Sequence, residues 1–259
     1  MDKDIRLRAP GFCPRCGMKL VLGIPEAIEY PVQIIPSPRV LKAGVETQLD
    51  FRVREPKTGK IVRDFELVHD RIFHLFVVSQ DTSYFAHEHP EQMPDGSFRF
   101  KLKFPKSGAY RLLCDFYPKS ATPQLIPNTL IVAGDGFRLA PAALKASVDP
   151  VQSENLHAEL VMEPADPIAG QKTMLFFRLT PNDGIEQYLS AWGHMMAASW
   201  DLIDMIHTHP IYVTDPEGYK QVQFNVIFPR EGVYRLWVQF QRKGVVNTVA
   251  FNVPVKALK

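Results

Sequence analysis

The chain has 259 residues, 46% of them hydrophobic, with 30 basic and 28 acidic side chains and a formal net charge of +2. So even a balance leaves no electrostatic footprint for nucleic acid or an anionic membrane surface, and no apolar run reaches the length needed to span a bilayer. The length and apolar content suit two domains of ordinary size, and 22 prolines beside 15 glycines suit short strands joined by turns better than long helices.

The chain opens Met1-Asp2-Lys3-Asp4, which is charged and lacks the apolar stretch of a signal peptide. As written it is soluble and unexported, so the cytoplasm is open. If a leader has been removed, the periplasm or the exterior is expected. Cys13, Cys16 and Cys114 form no dense disulfide framework and do not settle the compartment.

Residues 11–20 read Gly-Phe-Cys-Pro-Arg-Cys-Gly-Met-Lys-Leu. Cys-x-x-Cys-Gly is a metal knuckle: the tight turn aims both sulfurs at one ion, and Gly17 lets the backbone curl toward them. The competing readings are a Cys13–Cys16 disulfide and a zinc knuckle completed from elsewhere. The stretch resembles the short heavy-metal-binding domain with the pattern Cys-Pro-x-Cys-Gly-Met-x-Leu, found attached to copper and silver efflux components. That resemblance implies Cys13, Cys16 and Met18 as soft-metal ligands and a metal-efflux or copper-delivery protein as partner. The upstream Cys-Pro-Met-His-Pro half of the family pattern is missing here, so a four-ligand site is not implied. Residues 1–30 are expected to be a separate module, tethered by a connection that Pro25, Pro31, Pro36 and Pro38 stiffen.

From there the chain repeats itself. Residues 38–52 and 164–178 share Pro, Ala-Gly, Thr, Leu and Phe-Arg in register. Phe73-His74 through Pro90 matches Gly193-His194 through Pro210, ending in His-Glu-His-Pro and His-Thr-His-Pro. Phe-Pro-x-x-Gly-x-Tyr-Arg-Leu occurs at 104–112 and 228–236, and Asn128-Thr129 matches Asn247-Thr248. Four blocks in one order mark a duplication. Each copy is the size of an immunoglobulin-like sandwich, so the expected fold is all-β: two tandem immunoglobulin-like β-sandwiches, of the cupredoxin or copper-carrier kind, over 31–134 and 153–259. Thr47–Val53 and Ser97–Phe104 alternate polar and apolar as half-buried strands do. Asp95-Gly96 and Glu217-Gly218 are turn dipeptides, and Gly-x-Tyr suggests a tyrosine corner. The Ala- and Pro-rich stretch 135–152 reads as a linker with one helical turn around Ala142–Ala146. The sandwich repeats also look broadly like small copper carriers and exported bacterial copper-binding proteins.

Arg71 to Pro90 reads as a hairpin with its turn at Ser79–Ser83. Centring that turn between Asp81 and Thr82 places His74 opposite His89 and Phe76 opposite His87. Side chains two apart share a face, so His74, His87 and His89 converge. The same spacing brings His194, His207 and His209 together in the second copy, where Met196 and Met205 replace Phe76 and Phe85. Imidazole suits copper and zinc, and thioether selects Cu(I), so both faces are expected to bind a transition metal, copper first and zinc as the alternative, for storage, transfer or resistance. Packing is the bland explanation for buried His and Met. Yet clustered imidazoles repel when protonated, and packing poorly explains the same trio twice.

An enzyme of the cupin kind fits less well. Glu91 lies only two residues beyond His89, the second copy has Ile211 there, and no nucleophile elbow, phosphate loop or dinucleotide fingerprint occurs. Asp81 and Asp201 match, but in turns where Asp has a local role. A ligand-free structural or adhesive tandem is the third reading. It requires the His faces to be buried beneath the other domain or the imidazoles to be dispersed.

Overall fold

Glu46–Val53 shows how the strands form: Thr47, Leu49, Phe51 and Val53 are fully buried, and the residues between them stay partly exposed. This period of two is the pleat of a sheet covered on one face. The computed structural model describes residues 11, 12, 14, 15, 28–119, 121–137, 139 and 142–258. The first repeat contains β1 (Val32–Ser37), β2 (Glu46–Val53), β3 (Phe73–Ser79), β4 (Phe85–Glu88), β5 (Glu91–Gln92), β6 (Phe98–Lys103), β7 (Gly108–Phe116) and β8 (Gln124–Val132). The second contains β9 (Val151–Gln152), β10 (His157–Glu163), β11 (Lys172–Thr180), β12 (Ile185–Glu186), β13 (His194–Ser199), β14 (Met205–Thr208), β15 (Tyr212–Thr214), β16 (Lys220–Ile227), β17 (Gly232–Arg242) and β18 (Val245–Val255). No helix occurs among the described residues.

Each repeat is two sheets packed face to face. In the first, β1-β2-β6-β5 covers β4-β3-β7-β8. In the second, β9-β10-β11-β16-β15 covers a sheet in which β17 pairs β12, β13 and β18, with β14 on the outer edge of β13. Each sandwich has its own core, around Phe51, Phe73, Phe98 and Cys114 in the first and Phe177, Phe224, Phe240 and Phe251 in the second. The chain is therefore all-β with two tandem sandwiches, as the duplication implies. The tyrosine corner is present: Tyr110 donates its hydroxyl proton to the Lys106 carbonyl at 2.9 Å. In the second copy the Arg230 N–H donates to the Tyr234 hydroxyl at 3.2 Å, which in turn donates to Asp204. Asp81 and Asp201 each accept from the backbone two residues on, Ser83 and Ile203, fixing the hairpin turns.

The expected helical turn at Ala142–Ala146 is absent. Nucleating one turn costs more than five residues recover, and β18 offers a better partner. Ser147 and Asn252 exchange backbone hydrogen bonds of 2.9 and 2.8 Å, and the Asn252 side chain donates to the Lys145 carbonyl.

All seven residues of β3 and all six of β13 are buried. One face of each strand enters its own core through Phe73, Leu75 and Val77, or Met195 and Ala197. The other faces meet each other. Phe76, Val78 and Leu113 from the first repeat pack with Met196, Ala198, Leu202 and Trp237 from the second, with Phe85 and Met205 at the side. The Phe85 and Trp237 rings stack at 4.9 Å with 7° between planes. This apolar patch docks the sandwiches through their histidine-bearing sheets.

Because Trp237 serves the junction, Trp237→Ala should remove about 3 kcal/mol of stability. Calorimetry should show the loss as uncoupling, with the unfolding transition broadening or splitting in two while the strand signal of circular dichroism is kept.

Candidate metal centre

The hairpin register aligns the histidines. Phe76 pairs with His87 and Met196 with His207, as the turn-centring argument requires. In the first repeat the His74, His87 and His89 rings lie 4.8–5.4 Å apart by centroid. In the second, His194, His207 and His209 lie 4.5–6.1 Å apart. Within each trio, one nitrogen per ring falls within 4.8 Å of the other two.

The trios also meet. The His74 and His194 centroids are 6.4 Å apart, His87 and His194 5.5 Å, and His74 and His207 5.8 Å. His69, in the turn before β3, stacks on His209 across the junction at 3.7 Å. Seven of the eight histidines thus form one polar cluster beside the apolar patch.

Hydrogen bonds orient four of these rings, two of them across the repeats. His74 Nε2 lies 3.1 Å from the Val68 carbonyl, and His194 Nε2 lies 2.9 Å from that of Tyr188. His87 Nδ1 lies 2.7 Å from Gln239 Oε1 of the second repeat, and His207 Nδ1 lies 2.6 Å from Asp115 Oδ2 of the first. Asp115 and Gln239 occupy matching places, opposite His74 and His194 in register. Each repeat therefore holds the middle histidine of the other. With the amide nitrogen of Gln239 on Thr248 Oγ1 at 3.2 Å, its Oε1 faces His87.

These oxygens only accept, so in each neutral ring the outer nitrogen carries the proton and the inner one a lone pair. His74 Nδ1 and His87 Nε2 are then two lone pairs 3.1 Å apart. The edge of a tetrahedron with metal–nitrogen bonds of 2.0–2.1 Å is about 3.3 Å. His89 Nε2 and His207 Nε2 are buried without a hydrogen-bond partner. His209 Nε2 approaches His194 Nδ1 at 3.0 Å and is free to donate to it. Outer nitrogens tied to carbonyl, amide and carboxylate oxygens, with inner nitrogens converging, are the supporting shell of a metal-binding imidazole.

Burial, the largest cause throughout, pushes all seven histidines below the ordinary value of 6.5; like-charged neighbours add to it in six of them, while Asp115 and Asp70 oppose it at His69. His194 falls to about 4, His89 to about 3 and His209 to about 2. Asp115 is pushed up to about 6 by burial. Around neutral pH the cluster consists of neutral imidazoles beside one carboxylate.

Met196 and Met205 lie on the histidine face of the second repeat, within the apolar patch. Cys13, Cys16 and Met18 fall outside the described residues. Cys114 is a buried free thiol in the first core. Sequence reasoning missed His69, Asp115 and Gln239, and it missed the meeting of the trios. A signal was present: β3 and β13 are apolar on the histidine face as well as the core face, the composition of a sheet covered on both sides.

Residues 29–133 and 152–257 each match the family described as “Domain of unknown function (DUF8832)”. No curated protein matches the sequence. Among solved structures, the Escherichia coli adhesin FdeC aligns over 93% of this chain and 68% of its own, at 15% identity and a TM-score of 0.28. Yersinia pseudotuberculosis InvD aligns over 88% and 58%, at 11% identity and 0.28. The Clostridium thermocellum CbhA fibronectin(III)-like modules align over 88% and 95%, at 12% identity and 0.22. TM-scores of this size carry no functional inference.

Depressed histidine pKa values mean that the native state binds fewer protons than the unfolded chain below about pH 6.5. Their contribution to stability is complete above that pH and is lost as pH falls toward the folded values of about 4, 3 and 2. Asp115 works in the opposite direction, costing stability as pH rises through about 6. Seven histidines outweigh one carboxylate, so the metal-free chain should show a steadily falling thermal midpoint from pH 6.5 to pH 4. A flat midpoint across that interval would contradict the buried neutral cluster.

Proposed function

We propose that this chain, which belongs to the family described as “Domain of unknown function (DUF8832)”, is a metal-binding tandem sandwich. Each histidine trio takes one transition-metal ion at the junction of its two halves. Copper is the first choice and zinc the alternative, and the role is storage, transfer or resistance by binding rather than catalysis.

One observation carries this reading. His74 Nδ1 and His87 Nε2 face each other at 3.1 Å as lone pairs, because both outer nitrogens are committed as donors. Two lone pairs at that distance repel unless a cation lies between them. Burial and neighbouring histidines disfavour a proton there, which supports a metal ion as the occupant, with His89 as third ligand. Neutral imidazoles suit copper and zinc alike. Met196 and Met205 on the second face favour Cu(I), since thioether sulfur is a soft donor.

A second reading, a ligand-free structural tandem, has its own support. The histidine faces are buried beneath the opposite sandwich, and the bonds from His87 to Gln239 and from His207 to Asp115 join the halves with no ion present.

Titration of the full chain with Cu(I) and with Zn(II), read by calorimetry and elemental analysis, separates the two. The expected result is two ions per chain. Replacing His89 and His209, the least buried member of each trio by its surroundings, with Ala should weaken each site by on the order of 100-fold or more while circular dichroism stays unchanged. A wild-type chain that takes up neither metal leaves the structural reading standing.

The thioether contribution has a separate check. Met196→Phe with Met205→Phe makes the second face resemble the first at similar bulk. Cu(I) affinity of the second site should fall by about tenfold, with Zn(II) affinity unchanged. Equal Cu(I) affinity would make both methionines packing residues.

A further inference from the structure

The two trios differ in what adjoins them. A cavity of about 300 Å³ lies against the second, and its lining includes His69, Ser190, Trp192, His209, Ile211 and Tyr212. Extending the matched blocks by a few residues shows how its lining differs between the repeats. Ala191 stands where the first repeat has Arg71, so a long side chain is missing. Ile211 and Tyr212 stand where it has Glu91 and Gln92, so charged and polar groups give way to aliphatic and aromatic ones, and Trp192 stands where it has Ile72. Lys220 Nζ sits 5.0 Å from the Trp192 ring centroid and holds that wall in place.

His209 belongs to both places: it is a member of the second trio and a lining residue of the cavity. His69 comes from the other repeat, stacks on His209 and also lines the cavity without joining the trio. Of the three trio members, His209 lines the accessible space, and a three-ligand site that touches such a space resembles a metal site that keeps a position for an exogenous ligand. The volume is at the small end of ligand pockets, and mostly apolar walls with few polar groups are what such pockets have.

Resting on the metal reading above, we propose that the second trio keeps an open coordination position reached from this cavity. The cavity takes a small, flat, largely apolar nitrogen base, whose ring lies against Trp192 and Tyr212 and whose donor nitrogen completes the coordination of the ion. The first trio, bordered at the matching positions by Arg71, Glu91 and Gln92, takes no such ligand.

The test uses the full chain loaded with Co(II), whose visible ligand-field bands report coordination, titrated with 4-phenylimidazole. With two Co(II) per chain, one equivalent of probe should bind, and about half of the ligand-field absorbance should respond. Tyr212→Ala, at an exposed position, should weaken the probe by about fivefold by removing an aromatic contact, with Co(II) affinity unchanged. Ala191→Arg, which restores the first repeat's residue, should abolish probe binding and keep both Co(II) ions. Two bound Co(II) with a probe that perturbs neither ion, or both equally, would overturn the open position while leaving the metal reading intact. Probe affinity indifferent to both substitutions would likewise overturn it. No Co(II) uptake at all would remove the metal reading, and this inference with it.

Discussion

The structure depends on one burial event: the second faces of the β3 and β13 sheets cover each other. An immunoglobulin-like sandwich hides only the inner faces of its sheets, and its outer faces are ordinarily polar. Here Phe76, Val78 and Leu113 on one outer face and Met196, Ala198 and Trp237 on the other are too apolar to stay wet. Docking them removes that surface from water and carries six histidines along, because those side chains share the same faces at alternate positions, and His69 joins them from the turn before β3 by stacking on His209. The polar cluster is thus a passenger of the apolar patch.

Such a passenger is costly unless its nitrogens find partners. Duplication supplies a reciprocal solution, with Asp115 of the first repeat on His207 of the second and Gln239 of the second on His87 of the first. The outer nitrogens of His74, His87, His194 and His207 face oxygen acceptors, which turns the inner nitrogens of His74 and His87 toward each other as lone pairs. Buried His89 Nε2 and His207 Nε2 have no partner. The arrangement stabilises neutral imidazole and opposes imidazolium, the condition a metal ligand requires.

The repeats have diverged around this shared frame. Asp115 against Gln239 leaves one carboxylate in the cluster, and Phe76 and Phe85 against Met196 and Met205 put thioethers on one side only. Ala191, at the place of Arg71, lines the space beside the second trio. The frame is symmetric because the sheet register is symmetric, and the surroundings differ because side chains away from the core evolve independently.

Fold class, duplication and membership of each trio were legible in the sequence because they rest on local periodicity. Alternation places Leu49, Phe51 and Val53 inside, and turn position sets the pairing of Phe76 with His87. The helical turn expected at Ala142–Ala146 did not form: helix propensity over five residues lost to pairing of Ser147 with Asn252, a partner more than a hundred residues away. Tertiary structure alone decided that the two trios form one buried cluster, that Asp115 and Gln239 orient the other repeat's histidines, and that His69 reaches across to His209. Those contacts join positions about 90 to 150 residues apart through the docking of two finished sandwiches, and no spacing along the chain encodes how one folded surface lies on another.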